Sequence, residues 1–526
     1  GSTSLTEADC MLITYGDQVR AAEGPPPLQT LTEFLSARAT AVGAVHILPF
    51  YPSSSDDGFS VMDYYKVDPA IGTWSDVEAL AKRFDLMFDA VFNHASAQGV
   101  WFHRFLRQET GWERAFFTVT GNPDLSQVIR PRALPLLTAF ETAAGTERVW
   151  TTFSADQADI NFSDPRMLMR ILEVLRFYVD KGARYIRLDA IAFLWKIPGT
   201  PCLHLEQTHR VIQLMRSVLN RLAPSVQIIT ETNVPHTDNI SYFGDGSNEA
   251  QLVYNFALPP LVFHTLRTGD GSRLRRWAQT LQLPSERVTF FNFLASHDGI
   301  GMNPARGILD QEEIDALVQT ALQHNGFVSY KNNPDGTKSP YELNISYFDA
   351  LSNPLGREPE DMKIARFLAA HSIMLALRGL PGIYFHSLFG SRGDRAGAEA
   401  SGIPRRINRK KLNVAELTTE LDDAKSLRAR VFAGLRDMIE ARASHPAFSP
   451  YAAQEIPDAP PGLFVIIRKA ANGRQAFCAT NLTAEATLCA LPDAGGSDWK
   501  LLTGSPIASG NAVRLPAYGI SWLAAG

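Results

Sequence analysis

Three carboxylates stand at the ends of short apolar runs. They are Asp189 in "RYIRLDAIAF" (184–193), Glu231 in "IITETN" (228–233) and Asp298 in "ASHD" (295–298). A fourth run, "DAVFNH" (89–94), closes on Asp89, Asn93 and His94, and His297 precedes Asp298. Arg187 lies two residues before Asp189, so the two share one face of an extended chain. Each residue alone has a plain reading. A strand-end Asp caps a helix or anchors a loop, a His after a strand is structural, and an Arg–Asp pair is an ion bridge. Three carboxylates gathered in one place repel one another, and such crowding marks a site of chemistry. The chemistry that needs this set is glycosyl transfer. An ionised carboxylate attacks the anomeric carbon, and a second one, with raised pKa, protonates the leaving oxygen and later acts as base. A third fixes sugar hydroxyls and organises the transition state. Arg187 keeps Asp189 ionised and aimed.

The elements that must gather these residues are readable as well. "MLITY" (11–15), "VHILPF" (45–50), "LMFDAVF" (86–92), "YIRLDA" (185–190), "VQIITE" (226–231), "LVYNF" (252–256), "TFFNFL" (289–294) and "GIYFH" (382–386) read as buried strands. Helical patterns lie between most of them. In "SDPRMLMRILEVLRFYVDKGA" Ser163 or Asp164 caps, Pro165 suits the first turn, Leu168, Ile171, Leu172, Leu175 and Val179 form the apolar stripe, and Gly182 ends the helix. Eight strands with intervening helices predict an α/β fold, a (β/α)8 TIM barrel whose active site lies at the C-terminal strand ends. The expected barrel comprises 1–94, 164–298 and 363–442. Residues 95–163 form an inserted loop domain after the third strand, and 299–362 a second insertion after the seventh. From 443 to 526 only short strands remain, "GLFVIIRKA", "RQAFCATNL", "DWKLLT" and "GISWLAA", with "ANGR" (471–474) as a hairpin turn. They predict a C-terminal antiparallel β domain.

Composition narrows the classes. Of 526 residues, 45% are hydrophobic and 20% charged, as in an ordinary globular protein, and the length calls for more than one domain. A formal charge of −5 supplies no basic field for nucleic acid. No apolar run is long enough to span a bilayer, and no signal peptide opens the chain. Cys10, Cys202, Cys478 and Cys489 are scattered, without metal-ligand spacing or a disulfide framework, and read as reduced, buried thiols of a cytoplasmic protein.

The four strand-end motifs, in this order, resemble the signature regions of the α-amylase superfamily of retaining glycoside hydrolases. The resemblance makes Asp189 the nucleophile, Glu231 the general acid/base and Asp298 the transition-state stabiliser, with Arg187, His94 and His297 around the glucosyl unit in subsite −1. Further stretches resemble a narrower branch, the sucrose-phosphorylase-like enzymes: "ITYGDQ" (13–18), "VHILPFYPSSSDDGFSVMDY" (45–64), "RPRALPLLTAF" (130–140), "VWTTFSADQADINF" (149–162), "PYELNISYFDAL" (340–351) and "RRINR" (405–409). This resemblance implies that Asp56 grips the far edge of the glucose and that Phe59 is an apolar platform for its ring. It pairs an Arg of "RRINR" with Asp56, with Arg405 preferred over Arg409, and assigns Arg132 and Tyr341 to phosphate. Asn93 matches a calcium-ligand position of amylases, where a supporting hydrogen bond is expected instead.

The sequence departs from sucrose phosphorylases on the acceptor side. Phe193 stands where Tyr is usual and Glu342 where Gln is usual. The "PYELN" and "RPRALPLL" forms look more like relatives that phosphorolyse glucosylglycerate, glucosylglycerol or sucrose 6'-phosphate. The implied activity is a retaining α-glucosyl phosphorylase that yields α-glucose 1-phosphate, with 2-O-α-glucosylglycerate as the first choice of substrate. Its partners are small molecules, namely an α-glucoside, phosphate and a polyol or hydroxy-acid acceptor. No cofactor and no metal are implied, nor nucleic acid or membrane; the assembly is a monomer or homodimer. The expected spacing of the Asp189 and Glu231 carboxyls is roughly 5–5.5 Å. Two other classes stay open, a hydrolase or transglucosidase with the same trio and a non-catalytic sugar-binding relative.

Overall fold

The computed structural model describes residues 4–495, 498–508 and 511–525. Gly1 to Thr3 and Gly526, where the expected barrel and C-terminal domain begin and end, lie outside the described residues. Eight strands close a barrel: β1 (Met11–Thr14), β2 (Ala44–Ile47), β3 (Asp85–Ala90), β4 (Ala183–Leu188), β5 (Gln227–Thr230), β6 (Leu252–Tyr254), β7 (Thr289–Asn292) and β8 (Leu380–Tyr384). Neighbours in space are neighbours in sequence and all pairings are parallel, with β1 closing on β8. Nearly every strand residue is buried, which is why these segments read as continuous apolar runs rather than alternating ones.

The helices between strands face the barrel with one stripe. In Pro165–Asp180 the Asp164 side chain caps the Arg166 N–H and Pro165 occupies the first turn. Met167, Ile171, Val174, Leu175 and Tyr178 are its buried face. That face is rotated slightly from the expected stripe, leaving Leu168, Leu172 and Val179 at its half-buried edge.

Between β3 and β4 the chain builds a helix (Val100–Leu106) and a hairpin (Leu137–Thr142 with Gly145–Trp150), around a small cluster of Val119, Val128, Leu136 and Trp150. Between β7 and β8 lie the helix Gln311–Gln323 and a three-stranded antiparallel sheet of Ile300–Gly301, Lys338–Asn344 and Phe327–Asn332. Beyond the helix Leu427–Ala443, the strands β9 (Ala453–Glu455), β10 (Leu463–Lys469), β11 (Gln475–Asn481), β12 (Lys500–Gly504) and β13 (Ile520–Ala525) form one antiparallel sheet. A smaller sheet of Thr487–Ala490, Ala512–Leu515 and Ile507–Ala508, not foreseen from the sequence, packs beside it. Trp522 in β13 stacks on Phe448 and donates to Ser372 Oγ at 2.9 Å, which ties this region to a barrel helix, Glu360–Ala376. All four cysteines are buried and free. Among the described residues no helix is long and apolar enough to cross a membrane.

Candidate active site

The C-terminal strand ends open into a cavity, and Asp189, Glu231 and Asp298 line it together. One correction concerns how they are presented. Asp189 and Glu231 were expected as the closing residues of their strands, but β4 ends at Leu188 and β5 at Thr230. Ala190 then turns into the left-handed region (φ 48°), and its N–H donates to Glu231 Oε2 at 3.1 Å. The chain breaks where the carboxylates must leave the ladder and face the cavity.

Beneath them the charges are paired. Arg187 on β4 contacts Asp89 at 2.5 Å, Asp189 at 3.0 Å and Glu231 at 3.7 Å, and donates from Nε to the Tyr254 hydroxyl at 3.1 Å. His46 on β2 closes the other side of Asp89 at 2.6 Å. Burial opposes the charge on Asp89, but Arg187 and His46 outweigh it and hold the carboxyl below its usual range. The deep pair Asp89–Arg187 is therefore a fixed ionic floor, and Asp189 receives only a share of the guanidinium.

Burial pushes the Asp189 carboxyl up to about 6 and Glu231 up to about 8, against the pull of Arg187 on both. The two side chains share a hydrogen bond. Near neutrality the pair holds one proton, mainly on Glu231, which leaves Asp189 ionised and Glu231 able to donate.

The wall of the pocket is a strained turn. Asp56, Asp57 and Gly58 have successive φ values of 54°, 45° and 111°. A Cβ at Gly58 would lie 2.7 Å from the Pro49 carbonyl, so the position requires glycine. Asp57 is gripped by Arg406 through two hydrogen bonds (2.9 and 3.2 Å) and by Arg409 at 3.0 Å. On the other side of the turn, Ser54, Ser55 and Ser60 all donate to one carboxylate oxygen of Asp156. Phe59 stacks flat on His297 with ring centroids 5.0 Å apart.

The expected pairing of Asp56 with Arg405 is not what the structure places there. Arg409 is the arginine that approaches Asp56, at 3.9 Å. Arg405 instead forks onto both oxygens of Glu342 at 2.9 Å and reaches Asp298 at 3.0 Å. The reason is electrostatic: Glu342 is buried, and the planar guanidinium satisfies both of its oxygens. Asp298 also meets Arg409 at 3.1 Å and His297 at 3.4 Å. Burial opposes its charge, but the Arg405 and Arg409 guanidiniums hold it far below the usual carboxylate range. Burial drives His297 down to about 3 and lowers His94 too, so both rings are neutral hydrogen-bonding groups. His94 Nε2 lies 2.9 Å from the Phe59 carbonyl.

Arg132, Phe193, Tyr341 and Glu342 line the outer part of the same cavity. Phe153 bridges them: its ring lies 5.2 Å from His94 and 5.5 Å from Phe193, with the Arg132 guanidinium 5.9 Å above it. Burial pushes the Tyr341 hydroxyl up to about 12, so it keeps its proton and can donate. Asn93 supports from outside the cavity. It donates to Asp159 at 3.2 Å and accepts from Lys196 at 3.1 Å, and Lys196 pairs with Asp159 at 2.7 Å, both fully buried. Among the described residues no group of three or more His, Cys, Asp or Glu is arranged to hold a metal ion.

Sequence reasoning did not single out Phe153, Gln157, Thr232, Asn233 and Phe256 from the lining, nor Asp57, Arg406 and His46 behind it. Gln157 and Phe153 sit inside "VWTTFSADQADINF", and Asn233 two residues past Glu231, so position in the motifs was the available signal. Gln157 donates to Asp56 at 3.1 Å.

Residues 38–300 match the alpha-amylase catalytic domain model. Over 452 residues the chain is 57% identical to the glucosylglycerate phosphorylase of Allomeiothermus silvanus, covering 86% of this chain and 81% of that protein. It is 49% identical to the glucosylglycerate phosphorylase of Spirochaeta thermophila, covering 94% and 83%. The crystal structure of sucrose 6F-phosphate phosphorylase from Thermoanaerobacter thermosaccharolyticum shares the fold, with TM-score 0.78 at 24% identity over 90% of this chain and 94% of that one. The chain belongs to the alpha-amylase family, in the branch that holds these phosphorylases.

Proposed function

We propose that this protein is a retaining α-glucosyl phosphorylase that converts 2-O-α-glucosylglycerate and inorganic phosphate into α-glucose 1-phosphate and glycerate. The observation that carries the reading is the 57% and 49% identity to two glucosylglycerate phosphorylases over most of each chain. The geometry supplies the chemistry. Asp189 attacks the anomeric carbon as the bond to the glyceryl oxygen breaks, and Glu231 gives its proton to that oxygen. Glycerate leaves, and the glucosyl unit remains as a β-ester on Asp189. Phosphate enters, gives a proton back to Glu231 and attacks the same carbon from the opposite face, releasing Asp189. Two inversions retain the α configuration. Asp298, His297, His94, Asp56 and Phe59 hold the glucosyl unit through both steps, and Arg187 balances the carboxylates. The rim residues Arg132 and Tyr341 bind phosphate, and Phe193 and Glu342 shape the acceptor side. No cofactor takes part; phosphate is a co-substrate.

The test supplies α-glucose 1-phosphate with glycerate, glycerol, fructose or fructose 6-phosphate and measures phosphate release. The expected order puts glycerate first. Release with none of the four would overturn the reading, and turnover of glucosylglycerate to free glucose with no dependence on phosphate would make the protein a hydrolase.

A further inference from the structure

The charges around the cavity are almost all committed, and the exception is informative. Two arginines line it, Arg405 and Arg132. Arg405 is occupied by Glu342 and Asp298, and its fork onto Glu342 uses the guanidinium edge that a ligand carboxylate would need. His94 and His297 are neutral. Arg187 lies below the catalytic carboxylates and is held by Asp89 and Tyr254. Among the described residues Arg132 has no carboxylate within ion-pair distance. It rests over the Phe153 ring and near Tyr341, whose hydroxyl is a donor. Glu342 meanwhile places a buried negative charge in the same wall.

Resting on the phosphorylase reading above, we propose that Arg132 is the specificity residue for both leaving group and acceptor: one guanidinium reads the carboxylate of glycerate in the first half-reaction and phosphate in the second. The chemistry permits the exchange. Carboxylate and phosphate present the same pair of oxygens to a planar fork, so no rearrangement is needed between half-reactions. The two anions occupy the position in turn, since glycerate must leave before phosphate attacks. A neutral polyol of the same size would lack this contact.

The test compares acceptor KM values for wild type, Arg132→Lys and Arg132→Ala, with α-glucosyl fluoride as donor and phosphate, glycerate or glycerol as acceptor. Arg132→Ala is expected to raise KM for phosphate and for glycerate at least tenfold each, with the value for glycerol changed less than threefold. Arg132→Lys should recover part of both anion effects, because it keeps the charge and loses the fork. A rise for phosphate alone, or equal rises for all three acceptors, would overturn the proposal. Failure of the wild type to glucosylate phosphate at all would instead overturn the phosphorylase reading.

Discussion

The floor and the rim of the cavity are built on opposite principles. On the floor every charge is committed: Asp89 to Arg187 and His46, Asp298 to Arg405 and Arg409, Asp57 to Arg406 and Arg409. On the rim, aromatic rings form a shelf, and among the described residues Arg132 has no acidic partner. A floor of locked charges suits a sugar whose position must not change between two displacements. An open rim suits a place that two different molecules must occupy in turn.

The contrast can be broken at its centre. Asp189→Asn should lower phosphorolysis on the order of 10⁴-fold or more, because a neutral amide cannot replace the carboxylate as nucleophile. Mass spectrometry of the mixture should show no glucosylated enzyme. Near-normal turnover in this variant would remove Asp189 as nucleophile. Glu231→Gln should cost about 10²- to 10⁴-fold with glucosylglycerate, whose oxygen needs a proton to depart. With α-glucosyl fluoride the first step should suffer far less, and equal losses on both donors would argue against an acid role.

A third variant tests whether the buried charges behind the cavity are useful only in pairs. Lys196→Met strands Asp159 without its cation, and loss of one partner of a buried ion pair costs about 3–5 kcal/mol. Calorimetry should show a clearly lower Tm, and an unchanged one would mean that Asp159 is satisfied by other donors. The turn gives a smaller and more local effect. Asp57→Asn keeps the size and the left-handed backbone but loses the Arg406 and Arg409 ion pairs, so KM for the glucosyl donor should rise about tenfold with kcat nearly kept. A fall in kcat with KM unchanged would assign Asp57 to the chemistry instead. The finest test is the shape of the pH profile. Asp189 must be ionised, so activity should rise with pH through about 6; Glu231 must be protonated, so it should fall through about 8. In Glu231→Gln the alkaline limb should vanish while the acid limb remains.

Most of the barrel was legible because parallel strands buried on both faces leave a run of Ile, Val, Leu and Phe that loops do not imitate. The three carboxylates that meet in the cavity were legible because each stands at or just past the end of such a run. Pairings between distant segments were not. Asp57 meets Arg406 and Arg409 across roughly the whole barrel sequence, and nothing local to "DDGF" or "RRINR" tells which arginine faces which aspartate. The preference for Arg405 at Asp56 failed for that reason: Glu342, from a third segment, claims it. The small second sheet near the C-terminus escaped notice because its strands are two to four residues long, below the length at which alternation carries a signal.

The turn at Asp56, Asp57 and Gly58 has a consequence for how this protein can change by mutation. Each left-handed residue is a tax on most side chains, and Asp and Asn are among the few that bear it lightly. The backbone thus restricts positions 56 and 57 to nearly the same residue types that Arg406 and Arg409 pair with, and position 58 to glycine alone. Single substitutions that keep the turn are few, and almost all of them change charge. The donor pocket is therefore insulated from gradual drift, while the rim, built on ordinary backbone, is free to vary. New acceptor specificities in this fold should arise by changes at the rim with the turn left intact.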